Sequence, residues 1–570
     1  MADETTVEDQ GIPAPEGTVD LIDTDYEIGQ DNIQTKIGPF GLDIHNPVFV
    51  ISGLVIIAFV AFALFAADTA NALFNGVNPE DVEGCEAGAF CDLGLRTYLT
   101  QTFDWFFLWG ANIFVVFCLF LIVSPWGSVK LGGTEATPDY GYPGWFAMLF
   151  AAGMGIGLMF FGVLEPAYYF GTPWGDAPLG TVRPFGEDGA LIQENVAEAR
   201  RMALAATSFH WALHPWAIYA VVALALALFS YNKGLPLSIR SAFYPIFGER
   251  VWGWTGHIID TLAVFATLFG LATSLGIGAQ QANAGINYVY GVPNTMTVQV
   301  LLICGITAIA LVSVLRGLDG GVKVLSEINM VVAMVLLLFV LFTAGAVGIF
   351  TDFISTLGAY VQEVIPLSNP HGREDTGYMQ GWTAFYWAWW ISWSPFVGMF
   401  IARVSRGRSV REFITCVLII PSVVCIFWMA VFGGSAINDM IANPETSAVK
   451  ANVIDSYAPE LSLFAMLESL PLTAITSTIG VILVIVFFVT SSDSGSLVID
   501  TITAGGKVDA PVPQRVFWCT FEGLVAIALL VGGGLGALQA MVISTGLPFT
   551  IILIVLCIGI TKGLMSEKRA

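Results

Sequence analysis

The residues with the most distinctive chemistry lie between Trp382 and Trp393, a stretch with five tryptophans in twelve residues. On a helix, Phe385, Trp389 and Trp393 fall on one stripe at i, i+4 and i+8, and Trp390 lies beside it. Tryptophan facing lipid prefers the membrane interface, where its N–H meets water. This density inside an apolar segment therefore predicts an inward-facing cavity, and an interfacial belt is the alternative.

A second aromatic group comprises Trp211, Trp216 and Tyr219, and His210 and His214 lie in the same stretch. Aromatic faces attract a quaternary ammonium group at about 0.5–2 kcal/mol per ring. A carboxylate in the same guest would balance the charge, and indole N–H groups can receive it. The rings therefore predict a zwitterionic trimethylammonium ligand. The two histidines have metal-ligand spacing, but the sequence offers no evident third ligand, which favours structural roles.

Two apolar segments contain helix-interrupting residues. One carries Gly153, Met154, Gly155 and Gly157, and the other carries Ser394-Pro395. The freed amides of a broken glycine helix can receive the carboxylate of a ligand. Glycines that merely allow close helix packing are the alternative. The matched placement of the two interruptions favours two inverted repeats.

A third polar group is the run Phe487 to Ser494, which places hydroxyl and carboxylate side chains inside an apolar segment. Such oxygens replace the hydration shell of a hard monovalent cation, and intramembrane polar residues mark ion paths. Hydroxyls that bond back to their own helix are the alternative. Glu165 and Glu522 lie close enough to the ends of their segments that structural pairing or snorkelling is favoured.

The elements that position these residues are membrane helices. Of the 570 residues 56% are hydrophobic and only 12% are charged, which excludes an ordinary soluble enzyme, and the net charge of −23 excludes a nucleic-acid partner. Apolar stretches long enough to span the bilayer predict an all-α protein of twelve transmembrane helices. They begin near Pro47, Phe103, Trp145, Phe209, Ile259, Val298, Asn329, Gly381, Phe413, Ala474, Val516 and Val542.

The organisation predicted from these spans is an acidic, disordered tail over 1–46, a transporter domain over 47–562 and a short tail over 563–570. Spans 3–7 (about 145–350) and spans 8–12 (about 381–562) form the two five-helix repeats. The tails and even-numbered loops hold 16 of the 22 Lys and Arg residues, which predicts cytoplasmic termini in the inner cell membrane. Cys85 and Cys91 share an external loop, where either a disulfide or two free thiols fit.

The glycine run, the tryptophan segment continuing into Ser-Pro-Phe396-Val-Gly-Met-Phe-Ile-Ala-Arg403, and the Thr-Ser-Ser-Asp-Ser-Gly run resemble the betaine/carnitine/choline transporter family. The resemblance covers all twelve spans and implies a sodium-coupled, homotrimeric symporter. It places substrate at Trp389, Trp390 and Trp393, with Trp211, Trp216 and Tyr219 around the path. It implies one sodium site from carbonyls of Ala151, Met154 and Phe487 and hydroxyls of Thr490 and Ser491.

Departures from the family pattern refine this expectation. Choline-selective relatives have Asp where this chain has Gly157, which favours zwitterions over choline. A second family sodium site would use Thr267 and Phe396, but its other threonine position is Leu271, so two-ion coupling is not supported. Residues 329–350 contain no arginine, unlike sodium-independent exchangers, and the C-terminal tail lacks a long basic extension.

The function predicted is sodium-coupled uptake of glycine betaine or a similar osmoprotectant, with sodium co-transported, no other cofactor, and membrane lipid around the protein. A sodium-independent carnitine or betaine exchanger is the alternative transporter. A channel would need a continuous polar lining without a deep aromatic box. The spans contain no catalytic motif, so an intramembrane enzyme is not favoured.

Overall fold

The computed structural model describes residues 22–37, 40–82, 84–153, 155–172, 177–316 and 322–567, without the side chains at 37, 40, 150–153, 316 and 322–324. The described chain is almost entirely helical apart from one two-stranded hairpin. The strands are β1 (Asn32–Ile37) and β2 (Phe40–His45). The helices are α1 (Asn46–Phe65), α2 (Ala67–Asn75), α3 (Phe90–Val123), α4 (Tyr142–Gly153), α5 (Ile156–Gly171), α6 (Gln193–Trp211), α7 (Leu213–Ala227), α8 (Tyr244–Phe247), α9 (Trp254–Tyr290), α10 (Met296–Arg316), α11 (Val322–Thr343), α12 (Ala346–Ser368), α13 (Thr376–Tyr378), α14 (Ala384–Val404), α15 (Val410–Ala442), α16 (Ala448–Lys450), α17 (Ser462–Glu468), α18 (Thr473–Thr503) and α19 (Val512–Met565).

Membrane-spanning character is clear in the described part of the chain, where nine helices are long and apolar enough to cross a bilayer. The apolar stretches of α7 and α9 are almost fully buried, whereas most residues in those of α1, α3, α10 and α11 are at least partly exposed. The protein therefore has an inner group of helices around α7, α9 and α14 and an outer group that faces lipid. The fold is that of a multi-pass, all-α membrane protein.

The longest helix, α19, has 54 residues, which would make a rod of about 81 Å at 1.5 Å per residue. Gly533 and Gly534 have non-helical backbone angles and divide it. Each part is long enough to cross roughly 30 Å of hydrocarbon. The second part continues to Met565, three residues past the predicted boundary at 562.

The glycine run interrupts a helix as the sequence predicts. The helix α4 ends at Gly153, α5 begins at Ile156, and Gly155 between them has extended backbone angles. Met154 lies outside the described residues. The break leaves the first backbone N–H groups of α5 without acceptors in their own helix, in the interior of the protein.

The Ser-Pro pair does not interrupt its helix, because α14 runs unbroken through Pro395. Proline has no N–H to give the carbonyl four residues earlier, here that of Ile391. The Ser394 hydroxyl donates to that carbonyl oxygen at 2.7 Å. Serine thus supplies the hydrogen bond that proline removes, and the helix stays continuous.

Most of α12 lies beyond residue 350, between the predicted seventh and eighth spans, where the sequence analysis predicted no helix. Its exposed side carries Val347, Ile354, Val361 and Ile365, at the helical spacing typical of an amphipathic surface helix. On its other side, Asp352 pairs with Arg200 of α6. This helix separates the two predicted repeats.

The N-terminal segment differs from the predicted disordered tail, because residues 32–37 and 40–45 form the paired strands β1 and β2. Asp43 accepts from Lys507 at 2.6 Å, and Tyr244 donates to the carbonyl of Asp23 at 2.6 Å. These contacts pair polar groups of the N-terminal segment with partners in the rest of the protein. Its acidic composition alone therefore did not make the segment disordered. Near the other end of the chain, Lys562 donates to the carbonyl of Pro245 at 3.1 Å, so both terminal segments lie on the same face of the protein.

Cys85 and Cys91 form a disulfide in the loop before α3.

The packing of the hairpin against the rest of the protein, here called docking, should depend on pH through His45. Burial, then Arg240 and His257, lower the pKa of His45 from 6.5 to about 3, and Arg240 donates to its Nε2 at 3.1 Å. The undocked segment binds a proton below pH 6.5 that the docked one does not, so docking weakens as pH falls from 6.5 towards about 3. Hydrogen exchange of residues 32–45 at pH 7 and pH 5 should show this loss of protection. The His45→Gln variant should show a much smaller difference, and equal protection of the wild type at both pH values would contradict the assignment.

Candidate functional site: an aromatic box between α5, α6, α7 and α14

The predicted aromatic side chains come together in the protein interior. Trp211 lies edge-to-face on Trp390 at 4.9 Å between ring centroids, and Tyr219 does so at 5.8 Å. Trp389 stacks on Trp390 at 5.5 Å and on Phe385 at 5.6 Å. We call Phe385, Trp389, Trp390, Trp393, Trp211, Trp216 and Tyr219 the aromatic box. All of these side chains are buried except Trp393, which is half-buried, so the rings do not face lipid.

Two indole N–H groups of the box are held by backbone carbonyls of α6. Trp390 donates to His210 at 3.0 Å, and Trp216 donates to Trp211 at 3.3 Å. The second bond replaces the one that Pro215 cannot make to the same carbonyl. These bonds fix ring orientation at the junction of α6 and α7, where Ala212 leaves helical geometry.

Three polar groups of the box have no hydrogen-bond partner among the described residues. They are the indole N–H groups of Trp389 and Trp393 and the hydroxyl of Tyr219. A buried donor without a partner costs about 1–3 kcal/mol. A carboxylate accepts up to four such bonds and is the natural complement to these donors.

The N-terminal end of α5 lies against the box. A Cβ atom at Gly157 would stand 2.8 Å from Cη2 of Trp211 and 3.2 Å from Cη2 of Trp389, so glycine allows this approach. A Cβ atom at Gly155 would meet open space. The N-terminus of α5, which is the positive end of its dipole, therefore lies beside the box, and this suits an anionic group.

The rings contact one another directly in this conformation. Trp390 has Trp211, Trp389 and Tyr219 within ring-contact distance. Trp390 is therefore the ring that connects the α6 and α7 side of the box to Trp389.

A buried carboxylate beside the box is the main feature that sequence reasoning missed. Glu165 is fully buried and accepts from Trp211 Nε1 at 2.5 Å, Tyr386 OH at 2.6 Å and Tyr169 OH at 2.9 Å. His210 Nδ1 lies 2.8 Å from the same carboxylate. One side chain of α5 thus connects α6 and α14, and it holds a ring of the box directly.

The sequence does indicate that Glu165 faces the box, although its position near the end of the predicted segment favoured a structural role. Gly157, Phe161, Glu165 and Tyr169 follow one another at i+4, so they share one face of α5. Phe161 contacts the ring of Trp389 at 5.7 Å on that face. An acid two turns from Gly157 on the same face was therefore bound to point towards the box.

The two histidines belong to different networks. His210 Nε2 lies 2.9 Å from the hydroxyl of Thr383, whereas His214 Nε2 lies 3.1 Å from the side-chain oxygen of Asn112. No group of three or more His, Cys, Asp or Glu side chains arranged to hold a metal ion was found among the described residues.

The residues expected to bind sodium are only partly described. Ala151 lies in α4 without a described side chain, and Met154 lies outside the described residues. On α18, Phe487 is buried, Thr490 and Ser491 are half-buried, and the Thr490 hydroxyl donates to the carbonyls of Val486 and Phe487 at 3.1 and 3.2 Å. The helix α18 packs against α5.

The second expected sodium position is filled differently. The Thr267 hydroxyl donates to the carbonyl of its own helix at Ala263 at 2.7 Å, and Phe396 packs on Trp393 at 5.3 Å. Leu271 packs on Gly495 of α18, where a Cβ atom would stand 2.3 Å from it. The apolar side chain of Leu271 thus packs where the second sodium site of the family would have its other threonine.

Comparison with known proteins agrees with this geometry. The model of the betaine/carnitine/choline family transporters matches residues 47–569. A glycine betaine/proline/choline transporter of Vibrio parahaemolyticus is 58% identical over 98% of this chain and 97% of its own. Glycine betaine transporter 1 of the same organism is 55% identical over 96% and 98%. A glycine betaine/proline/choline/ectoine transporter, also from that organism, is 51% identical over 96% and 91%. The chain belongs to the betaine/carnitine/choline family of transporters.

Proposed function

We propose that this protein is a secondary active symporter that couples sodium entry to the uptake of glycine betaine or a similar zwitterionic solute. The observation that carries the proposal is the aromatic box, in which three donors have no partner among the described residues, beside the N-terminus of α5. Rings suit a quaternary ammonium, and donors suit a carboxylate. A substrate that carries both a quaternary ammonium and a carboxylate has no net charge when it enters the membrane interior. The names of the three relatives support the same substrate class.

The architecture proposed is twelve spans in two inverted repeats, with the site near the bilayer midplane. Twelve segments are supported when α4 and α5 are counted as one broken span and α19 is counted as two spans. The lysine and arginine distribution supports cytoplasmic termini in the inner cell membrane. A homotrimer belongs to the same proposal through the family resemblance.

Sodium coupling is proposed at carbonyls of Ala151, Met154 and Phe487 and hydroxyls of Thr490 and Ser491. An ion between the glycine break and α18 would tie these two elements together and shift the population towards the state that binds substrate. Leu271 in the place of a second coordinating threonine supports one ion at these family positions rather than two.

Choline is a second candidate substrate, because two of the relatives carry it in their names. Gly157 supports the zwitterion instead, since a cation without its own carboxylate would need an added acid near the box.

Uptake of labelled glycine betaine by reconstituted vesicles, with sodium, potassium or proton gradients imposed in turn, tests the proposal. A sodium gradient alone should drive accumulation, and unlabelled betaine should compete more strongly than choline. Accumulation driven equally by all three gradients, or exchange without any gradient, would contradict sodium symport and support an exchanger.

Removing one proposed ligand should change the sodium dependence of uptake. The Ser491→Ala variant loses a hydroxyl oxygen of the ion site, so the sodium concentration for half-maximal uptake should rise at least about tenfold. Thr478→Val is the control, because this half-buried threonine of the same helix bonds through its hydroxyl to the carbonyl of Ala474 and to the hydroxyl of Tyr290. Unaltered sodium dependence in Ser491→Ala would remove this residue from the site.

A further inference from the structure

Thr383, the residue immediately before α14, is a buried hydroxyl that bonds to the network around Glu165. Its oxygen lies 2.9 Å from Nε2 of His210, and Nδ1 of the same ring lies 2.8 Å from Oε2 of Glu165. Turning the imidazole over would place carbon atoms at both positions, so this orientation is the one that forms two hydrogen bonds. The ring is therefore held between a hydroxyl at the start of α14 and a carboxylate of α5.

The direction of these two hydrogen bonds follows from the donors present. Among the described residues, the Thr383 hydroxyl has two acceptors, Nε2 of His210 at 2.9 Å and the carbonyl oxygen of Tyr378 at 3.5 Å. The shorter contact is the better hydrogen bond. If Thr383 donates to Nε2, that nitrogen carries no hydrogen, and a neutral ring has its proton on Nδ1. The Nδ1–H group then donates to Oε2 of Glu165.

Aromatic rings surround the imidazole of His210, which is fully buried. Tyr386 stacks on it at 4.5 Å between ring centroids, and Tyr378 does so at 5.1 Å. Trp387 meets it edge-on at 5.7 Å. A charged imidazolium would lose its hydration among these rings, whereas a neutral ring with both nitrogens bonded fits them.

The same histidine supports the aromatic box at two points. Its backbone carbonyl accepts from the indole of Trp390 at 3.0 Å, and its ring bonds to Glu165, which accepts from the indole of Trp211 at 2.5 Å. The opposite tautomer, with the hydrogen on Nε2, would face the carboxylate with a lone pair and leave Glu165 without this N–H donor. The tautomer of His210 therefore affects how firmly Glu165 holds Trp211.

We infer that Thr383 is a positioning residue for substrate binding, which fixes His210 as the neutral Nδ1–H tautomer so that the ring donates to Glu165. The inference rests on the proposed function, because the box that this network supports is the proposed betaine site. Since Thr383 precedes α14 and His210 belongs to α6, the bond also depends on the distance between these two helices. Movement of α14 away from α6 would free Nε2 and remove the constraint on the tautomer.

Nitrogen-15 NMR of the full-length protein in lipid vesicles, with labelled histidine side chains and without substrate, tests the tautomer. The chemical shift distinguishes a ring nitrogen that carries hydrogen from one that does not, and loss of a signal in His210→Gln identifies this residue. The wild type at neutral pH should show hydrogen on Nδ1 alone. Hydrogen on Nε2 alone, or on both nitrogens, would overturn the inference.

Equilibrium binding of labelled glycine betaine tests the positioning role. Thr383→Val keeps the shape of the side chain but removes the hydroxyl, so it should lower the affinity at least about fivefold. Thr383→Ser keeps the hydroxyl and should bind within about twofold of the wild type. Thr207→Val is the matched control, because Thr207 is equally buried on α6 but donates to its own helix at Ala203, 2.8 Å away.

A double variant shows whether Thr383 acts through the carboxylate. On a Glu165→Gln background, Thr383→Val should change the affinity by less than about twofold, because the acceptor that it helps to satisfy is already lost. Equal losses of affinity in Thr383→Val and Thr383→Ser, or wild-type affinity in Thr383→Val, would overturn the positioning role. If the wild type has the Nδ1–H tautomer and Thr383→Val loses it, but neither protein binds betaine, the assignment of His210 stands and only the proposed substrate fails.

Discussion

Replacing Trp390 with leucine should weaken the binding of glycine betaine at least about tenfold. The variant loses one ring face, at about 0.5–2 kcal/mol for a bound ammonium group. It also loses the indole bond to the His210 carbonyl and the contacts with Trp211 and Tyr219 that hold the box together. Because 1.4 kcal/mol corresponds to tenfold in affinity, the ring alone accounts for most of the effect.

The measurement is equilibrium binding of labelled betaine to purified protein in saturating sodium. Trp105→Leu is the matched control, since that indole is 48% exposed on α3 and donates to its own helix at Thr102. The control should bind like the wild type. Betaine affinity in Trp390→Leu equal to that of the control would show that the box does not hold the substrate.

Replacing Glu165 with glutamine should lower the uptake rate at least about tenfold. The carboxylate receives hydrogen bonds from Trp211, Tyr386 and Tyr169 and lies within bonding distance of His210. Glutamine has a single acceptor oxygen and adds an N–H₂ donor, so at least two of these groups lose their acceptor, at about 1–3 kcal/mol each. Either Trp211 and Tyr386, which share Oε1, or Tyr169 and His210, which share Oε2, therefore lose their oxygen, and the network that holds Trp211 beside Trp390 is weakened.

Betaine binding and uptake should be measured together for this variant, with aspartate at 165 as the conservative replacement. A positioning role predicts weaker binding and slower uptake in Glu165→Gln, with partial recovery in Glu165→Asp. Glu468→Gln is the control, because Glu468 also accepts from a tyrosine, Tyr288, but is exposed. Normal uptake by correctly folded Glu165→Gln would remove this residue from the site.

Much of the site follows from the sequence because its signals are local. Five tryptophans at helical spacing cannot all reach the bilayer interface, so an inward orientation of Trp389 and Trp390 followed from the pattern alone. The helix break at Gly153 to Gly155 likewise follows from the low helix propensity of consecutive glycines. Here sequence and structure agree because no distant contact competes with the local preference.

The features that were missed depend on contacts between distant segments. Glu165 looked like an acid near a helix end, and only the approach of Trp211 and Tyr386 shows that it is buried. The hairpin of residues 32–45 is held by Lys507, more than 450 residues away along the chain. The break predicted at Pro395 did not occur because a neighbouring hydroxyl replaced the missing amide. Composition and spacing carry no record of such compensations.

The repaired hydrogen bond at Ser394 has a mechanical consequence for the transport cycle. Because the Ser394 hydroxyl bonds to the carbonyl that Pro395 leaves without a donor, α14 remains a continuous helix through its tryptophan segment. The facing segment, α4 and α5, is by contrast two short rods with a glycine joint between them. If these helices bend during transport, the bend should occur at the glycine break between α4 and α5. The α14 helix then keeps its tryptophans in place.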